Sequence, residues 1–272
     1  MLSTAAVAAP EAREVVRQRE AVEAELEAKA GLPRVLRYVG MPAFLGLCCL
    51  ALYLYIGSRT LDSIEQRTLN ADFITERLIE HVKLAAVSTA FVIAIAVSLG
   101  ILLTRPFARF LTTPVVGLAS IGQAIPSIGL LVLLAITVGI GFREAVYALV
   151  AYSALPILMN TIVGLQQVDR SLIEAGRGMG LTKARVLLRI ELPLAVPVIL
   201  AGIRTALIIN VGTATLATFV GAGGLGALIE NGIALGRLNT VTLTGGVLTA
   251  VLALLIDWLG GVAEEVLRPK GL

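Results

Sequence analysis

Histidine occurs once, at His81, and cysteine twice, at the adjacent positions Cys48 and Cys49. So few ligands exclude a zinc finger, an iron–sulfur centre or a histidine-based catalytic triad. The two cysteines lie inside an apolar run, where they read as small packing or lipid-facing residues rather than a disulfide framework. Charge is scarce as well. Only 15% of the residues are Asp, Glu, Lys or Arg, against about 25% in an ordinary globular domain. The net charge of +3 is small and scattered, which leaves no footprint for nucleic acid. Aromatic residues make up 5%. No G-x-x-x-x-G-K-[ST] loop occurs, so a nucleotide-hydrolysing phosphate loop is not part of this chain. No metal site, bound cofactor or catalytic residue is expected within it.

What remains is aliphatic. Of the 272 residues 57% are hydrophobic, more than a soluble domain of this length can hide in one core. A membrane crossing needs about 20 mostly apolar residues. Six stretches meet that need: 39–57, 84–103, 115–140, 145–168, 196–220 and 238–256. The third is interrupted by Gln123 and Pro126, the fourth contains Pro156 and Asn160, and the fifth carries one charge, Arg204. The expected fold is therefore an all-α integral membrane protein with six transmembrane helices.

Lysine and arginine orient the spans. The termini, the 105–114 turn and the 169–191 loop hold fifteen of them, whereas the opposite loops hold six. Both termini are expected in the cytoplasm of a multi-pass protein of the cell (inner) membrane. Residues 1–38 lack the apolar core and cleavage site of a signal peptide. Their stretch 11–30, rich in Glu, Arg and Ala, reads as a solvated cytoplasmic helix.

The 169–191 loop has the most specific pattern. Ser171 followed by Glu174 matches a capping box and predicts the start of a short helix. Gly180 suits the left-handed position that ends one. Thr182 can cap a second helix with Val186, Leu187 and Ile190 on its apolar side, and Pro193 is expected to break that helix before the fifth span. The product is a helix–glycine–helix elbow standing in the cytoplasm, suited to being gripped by a motor.

Glu174 and Ala175, then Gly180, then nine residues, then Ile190, Glu191, Leu192 and Pro193, resemble the EAA loop of ABC importer permeases. That motif reads E-A-A, three residues, G, nine residues, I, one residue, L-P. This sequence departs from it at Gly176, which stands where the motif has alanine. Residues from about 80 to 265 resemble the five-span core of the binding-protein-dependent permease family, with 39–57 as an added first span. Within that family three stretches look most like osmoprotectant permeases, which carry glycine betaine, carnitine, choline or proline betaine. They are Gln123-Ala-Ile-Pro-Ser127, Gly176-Arg-Gly-Met-Gly-Leu181, and Gly212-Thr-Ala-Thr215 through Gly221-Ala-Gly-Gly-Leu-Gly226.

The resemblance implies a type I importer permease with a division of labour. Residues 1–38 would be a cytoplasmic tail, 39–80 the first span and an extracytoplasmic loop, 81–265 the core with the EAA loop at 169–193, and 266–272 a second tail. A separate ATPase would bind ATP and Mg, an extracytoplasmic binding protein would capture solute, and a second permease chain, identical or paralogous, would complete the pore. The ATPase-coupling group would be Glu174, Ala175, Gly176, Arg177, Met179, Gly180 and Leu181, together with Ile190, Leu192 and Pro193. Glu174, Arg177 and Met179 are the candidates for direct contact.

Polar residues inside the spans are the other candidates, for a pathway or gate: Gln123, Pro126, Ser127, Asn160, Thr213 and Thr215. Packing and interhelical hydrogen bonds are the competing reading for each. Arg204 is the one charge well inside a span. It can pair with Asp257, snorkel to the cytoplasmic face, or gate. No cage of aromatic residues for a quaternary ammonium is visible, and Trp258 reads as an interfacial anchor. The stretch 221–226 satisfies G-x-G-x-x-G but lacks the surrounding strand and following acid of a dinucleotide site, so a bend or re-entrant turn at the outer side is expected. Two rivals stay open. One is an importer permease for an amino acid or sulfonate. The other, an ion-coupled transporter, would need acids or histidines within the spans, and the sequence offers none there.

Overall fold

In a computed structural model of the chain, residues 34–234 and 240–267 are described, with side chains from residue 38 onward. The proposed helix at 11–30, Arg237 and most of the 266–272 tail lie outside them. Among the described residues there is no strand. Five helices are long and apolar enough to cross a membrane, and a bent pair makes a sixth crossing if counted as one.

The chain divides into two units, Met1–Leu47 and Cys48–Leu272. The boundary falls inside α1 (Arg34–Gly57), which accepts Pro42 within its length. Phe44 and Leu47 of the first unit are exposed, as are Leu50, Tyr53 and Leu54 of the second. Apolar surface of this kind suits lipid.

The remainder of the second unit begins with α2 (Ser63–Thr68), started by a capping box between Asp62 and Glu65. Next comes α3 (Ala71–Leu103), whose first turn is capped by the Asn70 side chain accepting the Phe73 amide at 2.8 Å. The helix thus starts well before the apolar stretch at 84. Its charged opening turns are held by caps and ion pairs, which a hydropathy reading does not register.

The expected span at 115–140 is two helices, α4 (Thr112–Ala124) and α5 (Ser127–Thr137), and the pair is bent by 96°. Pro126 explains the break. It lacks an N–H and holds the preceding Ile125 extended, at φ −67° and ψ 134°. The chain continues through α6 (Phe142–Gln166), the elbow helices α7 (Arg170–Gly178) and α8 (Lys183–Val186), and α9 (Leu192–Ala214). A 3-10 turn (Leu216–Val220), α10 (Gly226–Ala234) and α11 (Val241–Leu267) follow.

Helices α3, α6 and α9 form the centre, with α11 against α9 and α10. One apolar cluster joins Val92, Ala96, Ile157, Leu158 and Ala206 at mid-length. A second joins Leu84, Leu131, Leu149 and Ala217 toward one end. Small residues bring the backbones close. A Cβ on Gly202 would sit 2.8 Å from the Pro156 carbonyl and 2.7 Å from Asn160 Cβ, so α9 and α6 cross there only with glycine. Close approach of this kind supplies dispersion contact that the hydrophobic effect does not provide within lipid.

Candidate functional site: an elbow at one end and a glycine turn at the other

The elbow is built from local caps. Asp169, rather than Ser171, is the N-cap of α7: its carboxylate accepts the Ser171 amide at 2.8 Å. An anion at that position also meets the positive end of the helix dipole, which is why it displaces the serine. At the other end Gly180 has φ +83°. Its amide donates to the Arg177 carbonyl at 2.9 Å, and the Leu181 amide reaches back to Gly176 at 3.1 Å. This is the paired hydrogen-bond pattern of a Schellman turn, and it requires the left-handed residue. Thr182 then caps α8, with its hydroxyl accepting the Arg185 amide at 3.4 Å.

The expected break at Pro193 does not occur. Helix runs from Lys183 to Ala214 without interruption, passing through one π turn at Leu187–Glu191 in which the Leu192 amide bonds to the Leu187 carbonyl. A turn widened by one residue makes room for a proline ring and absorbs its missing donor. The elbow is therefore rigidly continuous with the fifth span.

Glu174, Ala175, Arg177, Met179 and Gly180 are exposed along the elbow, with Met179 at 76% of its free surface. Gly176 is buried instead. A Cβ there would approach Ile190 Cδ1 at 2.5 Å, with Leu181 and Val186 side-chain carbons at 3.6 Å. The departure from the alanine of the motif thus lies where α7 rests on Ile190, and an alanine would require the Ile190 terminal methyl to move. Leu181, Ile190 and Leu192 are half-buried, whereas Pro193 is exposed.

The polar span residues do not converge on one passage. Gln123, Pro126 and Ser127 lie at the α4–α5 bend. The Asn160 amide donates within its own helix to the Pro156 carbonyl at 2.8 Å, at the crossing with Gly202. Thr213 is buried near the end of α9, and the buried Thr215 hydroxyl has no hydrogen-bond partner in the structure. Arg204 Nε lies 2.5 Å from Asp257 Oδ1, and its Nη1 is 3.8 Å from Glu264 Oε2. Those contacts tie α9 to α11.

Sequence reasoning missed two groups. At the end of the core opposite the elbow, Glu80 and His81 hold the glycine-rich turn. Glu80 Oε2 accepts the Gly224 amide at 2.9 Å, and His81 Nδ1 accepts the Leu225 amide at 3.3 Å. Gly223 and Gly224 have φ of +75° and +97°, and a Cβ on Gly223 would collide with the Glu80 carboxylate. The expected bend is present at these glycines. At the elbow end, Arg105 and Glu191 form an ion pair at 2.6 Å, with Glu191 5% exposed. Both groups appear in the sequence only as charges near span edges. Their partners lie 144 and 86 positions away. Among the described residues no group of acids, cysteines and histidine could hold a metal.

An all-helical bundle with an exposed cap-to-cap elbow fused to a span is the architecture of a transport permease. Residues 96–268 match the family described as binding-protein-dependent transport system inner membrane component, and the chain belongs to that family. It is 41% identical over 206 residues to the carnitine transport permease protein OpuCD of Listeria monocytogenes, covering 76% of this chain and 92% of that one. It is 40% identical over 217 residues to the osmoprotectant import permease protein OsmW of Salmonella typhimurium, covering 78% and 100%. The choline transport system permease protein OpuBB of Bacillus subtilis is 40% identical over 193 residues, 71% of this chain and 88% of its own. Among solved structures, the MetNI methionine ABC transporter in inward-facing conformations matches with a TM-score of 0.65 and 30% identity, over 72% of this chain and 96% of that one. An amino acid ABC transporter matches in fold alone, with a TM-score of 0.62 at 18% identity, over 76% and 100% of the two chains. The chain is a multi-pass membrane permease subunit of a binding-protein-dependent ABC importer.

Proposed function

We propose that the solute carried is a compatible solute such as glycine betaine, carnitine or choline. The observation that carries this reading is the likeness, at about 40% identity over most of each chain, to permeases named for carnitine, osmoprotectant and choline transport. In this reading the chain does not hydrolyse ATP. A separate ATPase subunit binds ATP and Mg and receives the elbow, with Glu174, Arg177 and Met179 at the contact and Gly180 setting its angle. The burial of Gly176 on Ile190 supports this arrangement: movement of α7 bears directly on the helix that continues into the fifth span.

The elbow end, and with it both termini, faces the cytoplasm, as the excess of lysine and arginine supports. The glycine-turn end then faces the extracytoplasmic binding protein. A second permease chain completes the pathway, as the closed symmetry usual for such assemblies supports. The sequence is poor in aromatic residues, at 5%, which suits a permease whose selectivity for a quaternary ammonium resides in its binding protein.

The test is uptake of labelled glycine betaine, carnitine and choline by cells lacking their own osmolyte systems. The cells receive this chain with its ATPase and binding protein. Uptake of one of these solutes that requires all components, and stops with an ATPase-dead partner, is the expected result. ATP-dependent uptake of a methionine-like amino acid or a sulfonate instead would overturn the substrate class.

A further inference from the structure

Arg105 and Glu191 meet where the third helix ends and the elbow turns into the fifth span. Arg105 follows the last turn of α3. Its Nε donates to the Ile101 carbonyl at 3.3 Å, and its Nη2 to the Thr104 hydroxyl at 2.9 Å. These bonds fix the guanidinium on the carbonyl end of the helix, where the dipole favours a cation. From there it reaches Glu191 with both nitrogens, Nη2 to Oε2 at 2.6 Å and Nη1 to Oε1 at 3.4 Å. The Glu191 side chain is 7% exposed and that of Arg105 is 26%. Glu191 closes the π turn, and its neighbour Ile190 is the side chain on which Gly176 of α7 rests.

A continuous set of contacts therefore runs from α7 through Ile190 and Glu191 to Arg105 and the end of α3. A buried ion pair is a poor source of net stability, because desolvation offsets most of its attraction. Its geometry, two-pronged and anchored at both ends, is suited to holding one element in register with another.

We propose that the Arg105–Glu191 pair is the joint that carries movement of the elbow into α3, and so sets how much transport each hydrolysed ATP yields. Both are positioning residues. The inference rests on the reading that the elbow receives the ATPase. Without this pair movement of the elbow passes into the fifth span alone, while α3, which bears Glu80 and His81 on the glycine turn at its other end, no longer follows.

The test uses the whole transporter in proteoliposomes: this chain with its partner permease chain, ATPase and binding protein. Glu191→Gln and Arg105→Gln are each expected to lower solute uptake per ATP hydrolysed about fivefold or more, in the usual range of site-to-site coupling. The exchange Arg105→Glu with Glu191→Arg is expected to recover part of that loss. Arg109→Gln removes an exposed arginine at the same end of α4's entry turn and is expected to leave the ratio within about twofold, below that coupling range. Arg105→Lys keeps the charge but loses the two-pronged geometry, so it serves if the neutral variants fail to assemble, and an intermediate ratio is expected. An unchanged ratio in any assembled single variant at Arg105 or Glu191 would overturn the joint. Absence of ATP-driven, binding-protein-dependent uptake in the unsubstituted transporter would overturn the importer reading itself, and the joint with it.

Discussion

His81 Nε2 lies 2.9 Å from the carbonyl of Val211, on a helix 130 positions away. The Thr215 amide, which would bond to that carbonyl in a continuous α-helix, bonds to Gly212 instead at 3.3 Å as the chain tightens into its 3-10 turn. The carbonyl is left open and the imidazole takes it. Because Nδ1 accepts the Leu225 amide, the ring is the neutral tautomer with its hydrogen on Nε2. One buried side chain thus joins α3, the end of α9 and the glycine turn.

Replacing His81 with alanine is expected to remove both bonds and leave a cavity. Interhelical hydrogen bonds in membrane proteins average about 0.6 kcal/mol, and an emptied site adds to that loss. A thermal unfolding scan of the purified protein in detergent should show a lower midpoint for His81→Ala. Gln, which can donate and accept, should lose less.

Gly223→Ala is expected to be worse than its size suggests. The residue has φ +75°, and a Cβ would displace the Glu80 carboxylate from the Gly224 amide. A loss of about 1–3 kcal/mol is expected for such a backbone position. Gly212→Ala is the control: a Cβ there meets nothing within 4 Å, so helix propensity should make it neutral or stabilising by up to about 1 kcal/mol. Equal melting temperatures for the two variants would contradict the placement of Glu80 on the turn.

Gly180→Pro should abolish uptake while leaving membrane insertion intact. Proline cannot adopt φ +83°, and it removes the amide that donates to Arg177. Solute uptake and the amount of membrane-inserted protein, measured on the same cells, separate the two effects. Normal uptake would show that the elbow angle is immaterial.

Arg204→Ala removes the guanidinium that pairs with Asp257. The expected outcome is reduced yield of assembled protein, because breaking a partly buried pair costs more than the pair contributes. Exchanging the charges, Arg204→Asp with Asp257→Arg, should restore yield. Well-assembled but inactive Arg204→Ala protein would instead assign the arginine to a gate.

Much of the elbow was legible in the sequence because its determinants are local. The left-handed glycine at 180 and the threonine cap at 182 act within one helical turn, and both stand as expected. The cap of α7 was read two residues late because Asp169, whose carboxylate accepts the Ser171 amide, starts the helix ahead of the serine. Pro193 was read as a helix breaker because a π turn, which absorbs the ring, leaves no mark in hydropathy. The interruption of the third span at Pro126 was legible, whereas the size of the bend there, 96°, was not.

By itself the sequence determined the class of the molecule, its number of apolar segments and the position of its elbow. Hydrophobicity, caps and turn residues act over a few positions, and their effect survives in any context. Only the tertiary structure decided that Arg105 meets Glu191, that Gly176 rests on Ile190, and that Glu80 and His81 hold the turn at Gly223 and Gly224. Those pairings depend on how α3, α6 and α9 cross. In lipid the apolar faces of helices distinguish weakly between neighbours, so the crossing is set by close fits of small residues and a few buried polar contacts.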